Sequence, residues 1–292
     1  MGFLGLLGAT AIAFFCARPG YALTVDDVTA AGSQLLSGPV SSAILETIGF
    51  LSDHRPYEPA TPLLSVPRDS KAGRAGLDMG VEATLVHLPD DFFNALTALG
   101  GSGNMSLRAL PTLRLHLHKG LGESTDIGFS GILLNGNYMV GGDLKFVLSK
   151  PEEGPTWAIR FCYSQSKLDL ASFGVTGLGA LTVQGTNVGN INLVTHTQTY
   201  TPQLLLSKQM AFADPYMGIG YQYTTGQVEM PITINIPGVP AQTVTPTADG
   251  SAGGFLAFLG VGINVSGIKV TVEGAYSSTD VHSIGTKVSL DF

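Results

Sequence analysis

Charge is scarce in this chain. Asp, Glu, Lys and Arg make up 13% of its 292 residues, and the 22 acidic residues outnumber the 15 basic ones. A nucleic-acid partner calls for a concentrated basic face, so that class of function is set aside. Cysteine is nearly missing: Cys16 and Cys162 are the two present. If the apolar leader holding Cys16 is removed, no intrachain disulfide can form. Long apolar runs are also missing, because beyond that leader no stretch of 18 apolar residues occurs. No transmembrane helix is therefore predicted. Glycine, by contrast, is abundant at 38 residues, well above the usual share of about 7%.

Residues Phe3 to Cys16 are apolar or small throughout and are followed by Arg18-Pro19-Gly20-Tyr21-Ala22. A core of roughly a dozen apolar residues is too short to span a bilayer as a helix but suits a secretory signal peptide. Its leading region carries no Lys or Arg. Residues 1–22 are read as that signal, with cleavage after Ala22. Residues 23–76 form a separate segment. Thr24 and Asp27 stand at capping-box spacing for a helix running to about Leu36. Pro39 to Leu51 suits a second helix with proline in its first turn. Pro56, Pro59, Pro62 and Pro67 then mark a linker. This segment is expected either to plug a lumen or to lie under it as a periplasmic leader.

From Leu77 onward the dominant pattern has a period of two. Leu77, Met79, Val81, Ala83 and Leu85 alternate with Asp78, Glu82 and Thr84, and Leu113, Leu115 and Leu117 with Arg114, His116 and His118. Similar alternation recurs up to the last stretch, where Ile284, Thr286, Val288, Leu290 and Phe292 share one parity. Successive side chains of a strand point to opposite faces, so each segment has one apolar and one polar face. The runs reach the length of about 9–11 residues that a tilted membrane-crossing strand needs. An alternating final strand that stops on Phe292 resembles the signal strand of Gram-negative outer-membrane β-barrels. That resemblance implies insertion by the barrel assembly machinery, surroundings of outer-membrane lipid and lipopolysaccharide, and Phe292 as the assembly signal.

The predicted fold is accordingly all-β: an antiparallel up-and-down transmembrane barrel over residues 77–292, located in the outer membrane. Ten strands are expected. A further alternating run at Phe173 to Val183 is either an extracellular hairpin arm or part of a twelve-stranded barrel. With the C-terminus periplasmic, the long connections 88–109, 169–189 and 229–251 all fall on the external side, as barrels of this class require. A short helix from Asp90 to Leu99 is expected in the first of them, capped by Asp90 and ended by Gly100-Gly101.

The inward parity collects Asp78, Glu82, Arg114, His116, His118, Asp126, Asp143, Lys145, Arg160, Lys269, Glu273, Lys287 and Asp291. A pore selective for one sign of ion would show one sign of charge. Mixed signs point instead to cross-lumen pairing, with a polar conduit as the alternative. His116 and His118, two apart, share a face. A metal needs three or four ligands and the sequence identifies no others, so neither a metal nor a cofactor is expected. Asp280-Val281-His282 resembles the Asp/His pair of the ten-stranded omptin proteases, with Asp90-Asp91 as a candidate second acidic pair. The function expected is a narrow channel or transporter for small or amphipathic solutes, gated by the N-terminal segment. The alternative is a non-enzymatic surface-interaction barrel acting through its loops, with an outer-membrane hydrolase a lesser reading.

Overall fold

The computed structural model describes residues 25–36, 38–54, 56, 59–60, 76–99, 108–134, 136–149, 151, 154–173, 180–183, 186–210, 212–234, 240–265 and 267–291. The signal segment with Ala22, the linker prolines Pro62 and Pro67, Gly100-Gly101 and Phe292 lie outside them, as does the side chain of Asp291. Two helices come first, α1 (Val25–Leu36) and α2 (Pro39–Asp53), and a third, α3 (Asp90–Ala98), sits in a loop. The strands begin with β1 (Leu77–His87), β2 (Ala109–Gly120), β3 (Thr125–Leu134), β4 (Asn137–Ser149) and β5 (Thr156–Asp169). Then come β6 (Ala180–Val183), β7 (Thr186–Ile191), β8 (Val194–Ser207), β9 (Ala213–Glu229), β10 (Ile232–Ile234) and β11 (Gln242–Val244). The last are β12 (Thr247–Val265), β13 (Ile268–Ser277) and β14 (His282–Asp291).

Ten of these strands close an antiparallel barrel in the order β1-β14-β13-β12-β9-β8-β5-β4-β3-β2. First and last strands seal it, with Val81 opposite Val288 and Glu82 opposite Lys287. Closure removes the unpaired edges that a bilayer core does not tolerate. The faces follow the sequence parity: Leu115, Phe129, Phe161, Ile219, Phe255 and Ile284 are among the exposed large apolar residues. No single helix among the described residues is long and apolar enough to cross a membrane; the strands do so.

Of the run Phe173 to Val183, the described part, β6, is no wall strand of a twelve-stranded barrel but one arm of a hairpin with β7. It is part of a separate four-stranded sheet, β11-β10-β7-β6, built by the two long connections on one end of the barrel. Its short strands pair across different loops, Ile232 with Ile191 and with Val244. Within 229–251, residues 232–234 and 242–244 are strands, and β12 already begins at Thr247, opposite Glu229 of β9. In α3 the cap position is Pro89, and Asp90 is the first helical residue, making no side-chain cap bond. Extended Pro89 fixes the entry backbone, while Asp90 and Asp91 lie in the first turn, where they complement the helix dipole.

The N-terminal helices give the barrel an interior. At the long-loop end, Gly32 of α1 sits beside Met230 and Pro246, and Ser41 and Leu45 of α2 sit beside Gly250. Lower down, Asp53 accepts a hydrogen bond of 2.6 Å from Thr201, and Pro56 lies against Gly285. Pro59 reaches Gly262 and Lys145, close to the short-turn ends of β12 and β4. The chain thus runs through the lumen from the long-loop end to the short-turn end, where β1 starts with Leu77 opposite Lys119. Helix α2 is buried on nearly all sides, so its apolar residues do not form the single stripe of a surface helix.

Candidate functional site

The lumen is the site. Its upper half, towards the long loops, is apolar: Ile44, Leu45, Ile48 and Leu51 of α2 join one buried cluster with Phe92 and Leu96 of α3 and Val228 of β9. Each such side chain contributes about 1.5–3 kcal/mol when fully buried. The end of α2 is then fixed by Arg114, which donates to the carbonyl of Ser52 at 2.6 Å and to that of Leu51. These carbonyls are left over at the helix C-terminus and carry its negative dipole end. A guanidinium is suited to both. The Ser52 hydroxyl lies 2.7 Å from that of Ser166, which lies 2.7 Å from that of Thr197. Burial raises the Glu46 carboxyl above its usual range, opposed by a hydrogen bond from Thr279.

The lower half is polar and paired. Lys145 makes an ion pair of 2.8 Å with Asp126 and donates to the Pro59 carbonyl at 3.0 Å. Glu273 accepts a hydrogen bond of 2.7 Å from Tyr216 and lies 3.5 Å from His54. Arg160 donates to Gln203 at 2.9 Å. His118 faces Asp143 at 3.2 Å, and Gly128 leaves the space, since a Cβ there would collide with both. His116 lies 2.8 Å from Asp78, and Lys287 lies 3.7 Å from the same carboxylate. Lys269, the least buried of the set, reaches Asp78 at 4.0 Å. Glu82 is 1% exposed, with His116 Nδ1 at 3.6 Å. All twelve inward charged residues from Asp78 to Lys287 thus lie on the inner wall, and opposite signs meet. What the sequence could not indicate is the role of main-chain carbonyls of the N-terminal segment as partners for Arg114 and Lys145.

The omptin-like residues take other positions. Asp280 sits in a turn with φ 62°, and the Tyr276 hydroxyl points to it at 3.5 Å. His282 faces outward, stacked on His87 at 4.2 Å. Asp90 pairs with Arg108 at 3.4 Å on the surface.

A closed ten-stranded wall, apolar outside and charged inside, defines a transmembrane β-barrel of the Gram-negative outer-membrane type. No protein-family model and no curated protein matches the sequence. Solved structures with similar architecture include the outer membrane protease OmpT of Escherichia coli, at 10% identity, TM-score 0.40, covering 74% of this chain and 95% of that one. The attachment invasion locus protein Ail of Yersinia pestis, in complex with the heparin analogue sucrose octasulfate, is similar at 9% identity, TM-score 0.24, covering 74% and 94%. The Acinetobacter baumannii outer membrane protein Omp33 is similar at 8% identity, TM-score 0.28, covering 74% and 97%. These proteins differ in function, and the likenesses add none to this chain.

Proposed function

We propose that this protein is a sealed outer-membrane barrel that works at its extracellular face, as a non-enzymatic surface-interaction protein. One observation supports this above the others: α2, with His54, Pro56 and Pro59 after it, lies against the inner wall from one end to the other, held by apolar packing above and by Arg114 and Lys145 below. Withdrawing α2 would re-expose Ile44, Leu45, Ile48, Phe50 and Leu51 together, each at a cost of about 1.5–3 kcal/mol. Spontaneous opening is then rare, and the elements left to meet a partner are the four-stranded sheet and α1 at the long-loop end. Outer-membrane lipid and lipopolysaccharide surround this face, and the barrel assembly machinery inserts it.

A second reading keeps the protein as a gated conduit for small solutes. It is favoured by the polar, mixed-charge wall, which would line a path once the segment is withdrawn by a partner. Single-channel recording in planar bilayers separates the two. The full chain is expected to be electrically silent, and removal of residues 25–60 should produce steady currents from a folded barrel. Frequent openings of the intact chain would overturn the sealed reading in favour of the conduit.

A further inference from the structure

The sequence offered two histidines on one face and no third ligand. The fold supplies it. Asp78 of β1 is the cross-strand partner of His118, and one ligand atom from each of Asp78, His116 and His118 lies within 4.8 Å of the others. All three side chains are buried. We propose that they form a binding site for a divalent transition-metal cation of the zinc class, whose place the Lys287 ammonium holds in this structure.

Four observations converge on a cation at this point. Lys287 Nζ stands 3.4 Å from His118 Nδ1 and 3.7 Å from Asp78 Oδ1, so a positive charge already sits between two of the ligands. His118 turns its other nitrogen, Nε2, to Asp143 at 3.2 Å. That is the carboxylate–histidine arrangement which orients a metal-bound imidazole and raises its basicity. His116 points Nε2 to Asp78 at 2.8 Å, and its Nδ1 faces Glu82 at 3.6 Å without a hydrogen bond. Finally, both carboxylate oxygens of Glu82 are buried without a hydrogen-bond partner among the described residues. A buried carboxylate without hydrogen bonds is costly, and a dication nearby would offset that cost. Two imidazoles with one or two carboxylates are the donor set of zinc and its neighbours rather than of calcium or magnesium, which take oxygen alone. Lys269, at 4.0 Å from the far oxygen of Asp78, and Ser289, donating to that oxygen at 3.0 Å, leave the near oxygen facing the histidines.

The test is titration of the full, untagged chain, refolded into detergent, with Co2+ as a spectroscopic probe. Saturable visible absorption at one equivalent, displaced by Zn2+, is expected. Lys287→Met removes the competing ammonium and should tighten Co2+ binding at least about tenfold. Asp143→Asn should weaken it by about 10–100-fold. His116→Asn or His118→Asn should abolish the absorption, with folding verified by heat-modifiable electrophoresis. The proposal is overturned if the intact chain shows no saturable absorption, even where Lys287→Met does, because the lysine would then fill the site permanently. It is equally overturned if the folded asparagine variants bind as the parent does.

Discussion

The Gly49→Val substitution is expected to destabilise the barrel by loosening α2 in the lumen. Gly49 faces Thr224 of β9 so closely that a Cβ would stand 2.7 Å from Thr224 Cγ2 and within contact distance of its hydroxyl. Thr224 cannot give way easily. It is 1% exposed on a wall strand, and its hydroxyl lies 3.0 Å from that of Thr199. Overpacking of a core typically costs about 1–3 kcal/mol, and here a whole isopropyl group enters where a Cβ alone already collides. That is less than withdrawing the helix would cost, at about 1.5–3 kcal/mol for each re-exposed side chain, so α2 stays in the lumen but is loosened. The variant should lose about 1–3 kcal/mol of stability in denaturant unfolding, with α2 cut faster by added protease. Adding Thr224→Gly restores the space and should recover most of both. A Gly49→Val barrel as stable and as protected as the parent would show that the helix does not pack on Thr224.

Lys145→Met is expected to lower stability by about 3–5 kcal/mol. Lys145 is buried against Asp126 at 2.8 Å and holds the Pro59 carbonyl at 3.0 Å. Its loss leaves a carboxylate in the lumen without its cation and releases the lower tether of the N-terminal segment. The Asp126→Leu/Lys145→Met pair removes both charges and should recover most of the loss, since an apolar replacement of a buried ion pair is often neutral. Denaturant unfolding of the two variants and the parent decides it. Equal losses for the single and double variants would mean that the tether to Pro59, rather than the stranded charge, carries the effect.

The wall of this barrel was legible because each strand states its two faces in adjacent letters. Met79, Val81 and Leu85 point out and Asp78 and Glu82 in with no knowledge of neighbours. Connection lengths then set the long loops at one end and the short turns at the other. Three things were not legible. The four-stranded sheet rests on pairings such as Ile232 with Ile191, short strands of three to six residues from different connections, and apart from the alternation that ends in β6 no local period announces them. The path of α2 was hidden because its fit depends on small residues, Gly49 and Ser52, meeting Thr224 and Ser166 far along the chain. The third member of the histidine cluster was in the inward set from the start. Its place beside His118 depends on the register of β1 on β2, and the 21-residue connection from 88 to 108 leaves that register unstated.

Helix α2 lies inside the barrel and ends beside β5. The most direct test of this placement is a disulfide between Ser52→Cys and Ser166→Cys, in a chain where Cys162 is replaced by alanine. The two hydroxyl oxygens are 2.7 Å apart, and a bridge forms without backbone movement where Cβ atoms approach to about 3.5–4.5 Å. Mild oxidation of the folded protein in outer-membrane vesicles should link the peptides that hold residues 52 and 166 almost completely, as read by mass spectrometry without reduction. Both thiols remaining free and alkylatable in a folded, heat-modifiable barrel would contradict a lumen filled by its own N-terminal segment.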